Sequence, residues 1–264
     1  MDFNIEIENI ISKIRHYFVN NGNEDTKAVI GISGGKDSTI AAALLVKALG
    51  PERVVGVMMP EYHQDDLDDA YEVCAALGIP HYCINIGLTC EELYGAFVAN
   101  TAHTLTNQIT TNTPARIRMT TLYMVAAAVG GRVINTGNAS EAYVGYTTKY
   151  GDLAGDYAVL RDYYVTEIYQ LGEHLFWDDG TPMLPQHLIR KPPADGMSGK
   201  TDEDNMGFTY EELDNYLINN ITPSASVLYN IEMRHKRNAH KYDIKLSCPR
   251  AKTRYSQGDD LWKF

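Results

Sequence analysis

The spacing of apolar positions changes several times along the chain. Apolar residues at 5, 10, 11, 14, 17 and 18 line one face of a helix over 5–20. Residues 28–32 form an uninterrupted apolar run, the mark of a buried strand, which is expected over 27–32. A helix follows over 37–49, stopped by Gly50-Pro51. A second strand spans 54–59 and closes at Pro60. Next come a helix over 65–77 with acidic residues in its first turn, a third strand at 81–86 and a helix over 91–100. Residues 101–113 read as a polar loop rich in Thr and Asn. A helix over 114–129, with Pro114 near its first position, leads to a fourth strand at 133–135. Strand and helix thus alternate from 27 to 135, which predicts an α/β fold, a doubly wound parallel sheet with helices on both faces.

The second half is less periodic. Helices are expected over 166–176, 210–217 and 227–237, with no clear period from 248 to 264. Residues 177–207 carry Pro182, Pro185, Pro192, Pro193 and four glycines. So long a stretch inside a compact domain is a functional or mobile segment. The expected organisation is a single domain over 1–264. It comprises an N-terminal helix (1–22), a nucleotide-binding core (27–175), a mobile segment (177–207) and a C-terminal helical extension with a tail (208–264).

In such sheets the ligand lies at the carboxyl ends of the strands. The loop leaving the first strand reads Ser33-Gly34-Gly35-Lys36-Asp37-Ser38. A glycine turn between strand and helix aims backbone N–H groups and a helix N-terminus at one point, a site for phosphate. Gly34 and Gly35 let the backbone pass close to an anion, and Ser33 and Ser38 add hydroxyl donors. Asp37 beside a phosphate calls for a cation between them, and Mg²⁺ is the usual one. The common phosphate loop, Gly-x4-Gly-Lys-Ser/Thr, does not fit, because Asp37 follows Gly35-Lys36. The stretch resembles instead the pyrophosphatase loop, Ser-Gly-Gly-x-Asp-Ser, of the adenine-nucleotide alpha hydrolases (PP-loop enzymes), which cleave ATP between its alpha and beta phosphates.

Four further segments narrow the resemblance. After the fourth strand comes Thr136-Gly137-Asn138-Ala139-Ser140-Glu141, then Thr148-Lys149-Tyr150-Gly151-Asp152. Asn112-Thr113-Pro114-Ala115-Arg116-Ile117-Arg118-Met119 opens a helix. Lys191-Pro192-Pro193 precedes Thr201-Asp202-Glu203-Asp204, and Arg234-His235-Lys236-Arg237 lies near the C-terminus. Together, over roughly 27–240, the chain resembles the NAD synthetases.

The resemblance implies an ammonia-dependent ligase. The nicotinate carboxylate of deamido-NAD attacks the alpha phosphorus of ATP, and ammonia then displaces AMP from the adenylate. Asp37 and Glu141 are implied to hold Mg²⁺ and serve catalysis. Gly31, Ile32, Ser33, Gly34, Gly35, Lys36, Asp37, Ser38 and Thr136 are implied to bind ATP. Arg116, Lys149, Asp156, His235 and Lys236 are implied to bind deamido-NAD. A homodimer is implied, and 264 residues leave no room for the extra domain of glutamine-dependent members.

Three positions depart from the pattern. The lysine usual in the helix after Asp156 falls at Val165, a usual Ser/Thr falls at Pro193 or Ala194, and an arginine of some members at the end of the second strand is Met58, with Gln64 nearby. Lys36 and Lys200 are the candidates to restore the lost charge near the triphosphate. Segments 105–111 and 182–207 are expected to order over bound nucleotide. Nicotinate mononucleotide stays open as an acceptor. A related PP-loop amidating or tRNA-thiolating enzyme, or a nucleotide-binding regulator that has lost catalysis, are the alternatives.

Composition agrees with a small-molecule enzyme. The net charge of −11 argues against a nucleic-acid partner. No apolar run approaches the 18 residues of a membrane span, and the acidic N-terminus lacks a signal-peptide pattern, so a cytoplasmic protein without membrane contact is expected. Cys74, Cys83, Cys90 and Cys248 form no C-x-x-C pair and read as core residues or idle thiols.

Overall fold

The computed structural model describes residues 1–191 and 201–242. Its centre is a five-stranded sheet, all parallel, in the order β3-β2-β1-β4-β5. The strands are β1 (Lys27–Gly31), β2 (Val54–Met58), β3 (His81–Cys83), β4 (Gly131–Asn135) and β5 (Tyr157–Ala158). Period-2 geometry sorts their side chains onto two faces. Ala28, Ile30, Val54, Met58 and Ile134 enter one core. There they meet α1 (Phe3–Asn21), α2 (Lys36–Leu49), α3 (Leu67–Leu77), α7 (Val165–Glu173) and α8 (Gln186–Arg190). Val29, Val55, Val57 and Val133 enter the other, against α4 (Gly87–Asn100) and α5 (Asn107–Val129). The expected doubly wound sheet is therefore the observed one.

A third, smaller core joins α6 (Ala139–Val144), α7, α9 (Asp202–Met206), α10 (Tyr210–Asn219) and α11 (Ala225–Asn238) around Val144, Val165, Phe208, Leu213 and Ile231. Among the described residues no helix is long and apolar enough to cross a membrane. Cys74 and Cys90 are buried, and burial pushes both thiols up to about 11. Cys83 is exposed. Cys248 and the rest of 248–264 lie outside the described residues.

Several expectations need correction. The polar loop over 101–113 is helical from Asn107, capped by the Thr106 side chain. Pro114 stands inside α5 rather than at its start. A proline there cannot donate to the carbonyl one turn back, at Thr110. The Tyr94 hydroxyl of α4 donates to that Thr110 oxygen instead, at 3.3 Å, so the helix runs through. The third strand is only His81–Cys83, an edge strand that ends where β2 does. Within 177–207, two short helices, α8 and α9, flank residues 192–200, which lie outside the described residues. Periodicity did not anticipate α6 or the two-residue β5.

Candidate active site

The carboxyl ends of β1 and β4 open onto a cavity of about 890 Å³. At its floor the 33–38 loop is braced internally. The Ser38 hydroxyl lies 3.1 Å from that of Ser33 and donates to the Gly35 oxygen at 3.0 Å. Gly35 N–H donates to Ser33 Oγ at 3.2 Å, and Gln64 Nε2 donates to the Ser33 oxygen at 3.0 Å. Gly34 has φ +81°, and a Cβ there would stand 2.5 Å from the Asp66 carbonyl oxygen, so only glycine fits. Gly35 caps α2 with no side-chain oxygen on the first-turn N–H groups. That turn, from Lys36 to Ser38, also lines the cavity. Its amides and dipole face the space where a phosphate would lie.

Two carboxylates meet above this loop. Asp37 comes from the first turn of α2 and Glu141 from the first turn of α6. Asn138 ties them together. Its Nδ2 donates to Asp37 Oδ1 at 3.4 Å, while its N–H donates to Glu141 Oε2 at 3.3 Å. Its Oδ1 accepts from Glu141 N–H at 2.9 Å, completing a capping box. Burial, and then the negative charge of Asp37, hold the Glu141 carboxyl well above the usual carboxylate range; Lys36 opposes this. Two half-buried carboxylates that repel each other, open to a cavity floored by phosphate-binding amides, are the hard-oxygen donor set that suits Mg²⁺.

Lys36 borders the cavity, but its side chain is folded away from solvent. Its side chain is 1% exposed, its ammonium donates to Asp37 Oδ2 at 2.7 Å, and it lies 5.6 Å from the ring centroids of both Tyr169 and Tyr210. Burial alone would lower its pKa, but Asp37 and Glu141 reverse this, and the net shift is upward.

Glu141 is held in place from behind. The adjacent Ser140 hydroxyl donates to Asp214 Oδ1 at 2.5 Å and accepts from Val165 N–H at 3.0 Å. Asp214 Oδ2 accepts from Thr166 N–H at 2.9 Å. Asp214, buried in α10, thus locks α6 to the start of α7, where Val165 itself is buried and apolar. Thr136 lies on the cavity wall just after β4.

The residues expected to bind the acceptor are placed differently. Arg116, Lys149, Asp156, His235 and Lys236 do not line this cavity. Arg116 Nε donates to the Lys149 oxygen at 3.3 Å, and Lys149 Nζ to the His240 oxygen at 2.7 Å. Asp156 accepts from Val133 N–H at 2.7 Å and from the Tyr123 hydroxyl at 3.2 Å. His235 stacks on Tyr143 with centroids 4.2 Å apart, and Lys236 is exposed. The cationic groups on the wall are instead Arg118, Lys191, Arg234, Arg237 and Lys241, beside Lys36. Arg118 Nε is anchored on the Met59 oxygen at 3.0 Å.

Sequence reasoning did not single out Asn138, Ser140, Asp214 or Arg237. The Asn-x-x-Glu spacing of a capping box was the available signal for Asn138. Three- and four-residue spacing along α11 puts 230, 234 and 237 on the cavity side together, with Lys241 in the turn just beyond the helix. Lys200, Pro193 and Ala194 lie outside the described residues.

The family model described as NAD synthase matches residues 6–245. An NH(3)-dependent NAD(+) synthetase of Pyrococcus horikoshii is 36% identical over 81% of this chain and 78% of its own length. Among solved structures, an NMN synthetase from Francisella tularensis superposes with a TM-score of 0.83 at 33% identity, covering 94% of this chain and 99% of that one. An NH3-dependent NAD synthetase from Campylobacter jejuni gives a TM-score of 0.71 at 30% identity, with the same coverage.

Proposed function

The chain belongs to the NAD synthase family, and on that premise we propose that it uses ATP and ammonia to amidate the carboxylate of a nicotinate nucleotide, first of all deamido-NAD. The observation that carries this reading is the half-buried Asp37–Glu141 pair, joined through Asn138, above a glycine loop whose amides face a cavity.

A carboxylate resists amines because its leaving group would be oxide. In the proposed first step a carboxylate oxygen bonds to the alpha phosphorus of ATP, and the bond to pyrophosphate breaks. In the second, ammonia adds to the activated carbonyl carbon, the bond to AMP breaks, and a proton leaves the nitrogen. Asp37 and Glu141 would hold Mg²⁺, which when bound neutralises phosphate charge. The loop from Ser33 to Ser38 and the Thr136 hydroxyl would hold the ATP phosphates and sugar, while Gly31 and Ile32 stay in the sheet, the Ile32 amide donating to the Val57 oxygen at 3.0 Å. Preorganised donors of this kind stabilise charge as it develops.

For the acceptor we assign Arg118, Arg234 and Arg237 to its phosphate nearest the reacting carboxylate, since planar guanidinium groups suit phosphate. Arg116, Lys149, Asp156, His235 and Lys236 do not line this cavity and would serve the distal half of a dinucleotide. A second reading, nicotinate mononucleotide as acceptor, is favoured by the NMN synthetase neighbour, whose TM-score of 0.83 exceeds the 0.71 of the NAD synthetase. We further propose a homodimer through the α4–α5 face, where Leu88, Leu93, Val98 and Met124 are exposed.

The test is a product assay with ATP, Mg²⁺ and ammonium, run in parallel with deamido-NAD and nicotinate mononucleotide. NAD and AMP in equal amounts support the first reading. Amidation of the mononucleotide alone selects the second. No AMP with either acceptor rejects both.

A further inference from the structure

Lys36 stands where elementary physical chemistry disfavours it. It is the first residue of α2, so its positive charge sits at the positive end of the helix dipole. It is buried, and an ammonium in the interior costs free energy unless it is paired. A methionine or leucine would fill the same volume without either penalty. The charge must therefore be offset locally, and the partners are identifiable. Asp37 Oδ2 accepts at 2.7 Å, the rings of Tyr169 on α7 and Tyr210 on α10 face the ammonium from 5.6 Å, and Glu141 on α6 adds negative charge. Asp214 of α10 also feels the ammonium.

We propose that the Lys36 ammonium is the internal counter-ion of the Asp37–Glu141 pair, a positioning residue that holds the two carboxylates together before a divalent cation binds and weakens the binding of that cation by itself. This rests on the assignment of Asp37 and Glu141 as the metal-holding pair. The charge arithmetic gives the consequence. Two ionised carboxylates, the state a bound divalent cation selects, and one ammonium leave a net charge of −1. A divalent cation turns it to +1, a surplus that a triphosphate can meet. Without Lys36 the loaded site would be neutral. The cation would then be bound more tightly alone, and the nucleotide less tightly. Val165 lies one turn before Tyr169 on α7 and is apolar. Lys36 therefore supplies charge that this position does not.

The experiment is a titration of the nucleotide-free protein with Mn²⁺, followed by paramagnetic resonance of the free ion. Wild type, Lys36→Met, Lys36→Arg and the double variant Lys36→Met/Glu141→Gln are compared. Lys36→Met should bind Mn²⁺ about tenfold more tightly, the scale expected on losing a like charge a few ångströms away. Lys36→Arg should stay near wild type, and the double variant should lose the gain. Unchanged or weaker binding by Lys36→Met overturns the inference and leaves the pair assignment standing. A gain that survives in the double variant puts the ion elsewhere and overturns both. Thermal melts guard against a folding defect. A counter-ion role predicts that Lys36→Met melts lower without Mn²⁺ and regains most of the loss with it. A loss of the same size under both conditions marks Lys36 as packing alone and also overturns the inference.

Discussion

At the scale of single residues, the site is made by a few side chains with no freedom to be otherwise. Gly34 combines φ +81° with a backbone oxygen 2.5 Å from any added Cβ. Gly34→Ala should cost about 3 kcal/mol of stability, from strain and overlap together. Denaturant titration would read that loss, and a loss under 1 kcal/mol would contradict the geometry. Away from the site, the Tyr163 hydroxyl donates to Glu6 Oε1 and joins α1 to the segment before α7. That hydrogen bond, with one from Asn9, holds the Glu6 carboxyl below its ordinary value of 4.5. A carboxyl with a lowered folded pKa stabilises the protein above its unfolded pKa, and the contribution fades as pH falls through the folded value. Tyr163→Phe should therefore cost about 1 kcal/mol at neutral pH, discounted for the partial exposure of Glu6, and progressively less below pH 4.5. A deficit that stays constant down to pH 3 would show that Glu6 is not involved.

At the scale of elements, α5 is the instructive case. The strands and the glycine loop were legible because buried parallel strands read as apolar runs and the loop's spacing is specific. The start of α5 was not, because a proline following polar residues is the usual sign of a helix beginning. What overrides that sign is a tertiary contact, the Tyr94 hydroxyl supplying the hydrogen bond that Pro114 cannot. Tyr94→Phe should leave the Thr110 carbonyl unserved and cost about 1 kcal/mol. Amide exchange over 107–113 should quicken while 115–129 stays protected, and uniform exchange along α5 would refute this account. The same limit hid α6 and Asp214. A six-residue helix is too short for a period to emerge, and a buried aspartate on an amphipathic helix looks like an ordinary surface charge until its partners, Ser140 and Thr166, are in view. The acceptor residues were the least legible. Which side chains of α11 face the cavity depends on how that helix is rotated on the third core, and the local motif does not encode this.

At the scale of the whole molecule, α4 and α5 cover one face of the sheet yet keep large apolar groups outside. Leu88 is 69% exposed and Met124 68%. If that face joins two copies, Leu93→Lys should shift the light-scattering mass from dimer toward monomer while the circular dichroism spectrum is kept. A wild-type chain that is monomeric at high micromolar concentration would remove the dimer from consideration.

Asp37 and Glu141 are anchored in different cores, one on α2 against the sheet and the other on α6 in the small C-terminal cluster. An ion shared by the two carboxylates is then a cross-link between the two packing clusters. Ligand-free protein should lose its C-terminal cluster in a separate, earlier step on heating. With Mg²⁺ and an uncleavable ATP analogue the two steps should merge, and amides of α10 and α11 should exchange more slowly. On this view, the occupancy of one ion sets whether the protein unfolds in one step or two.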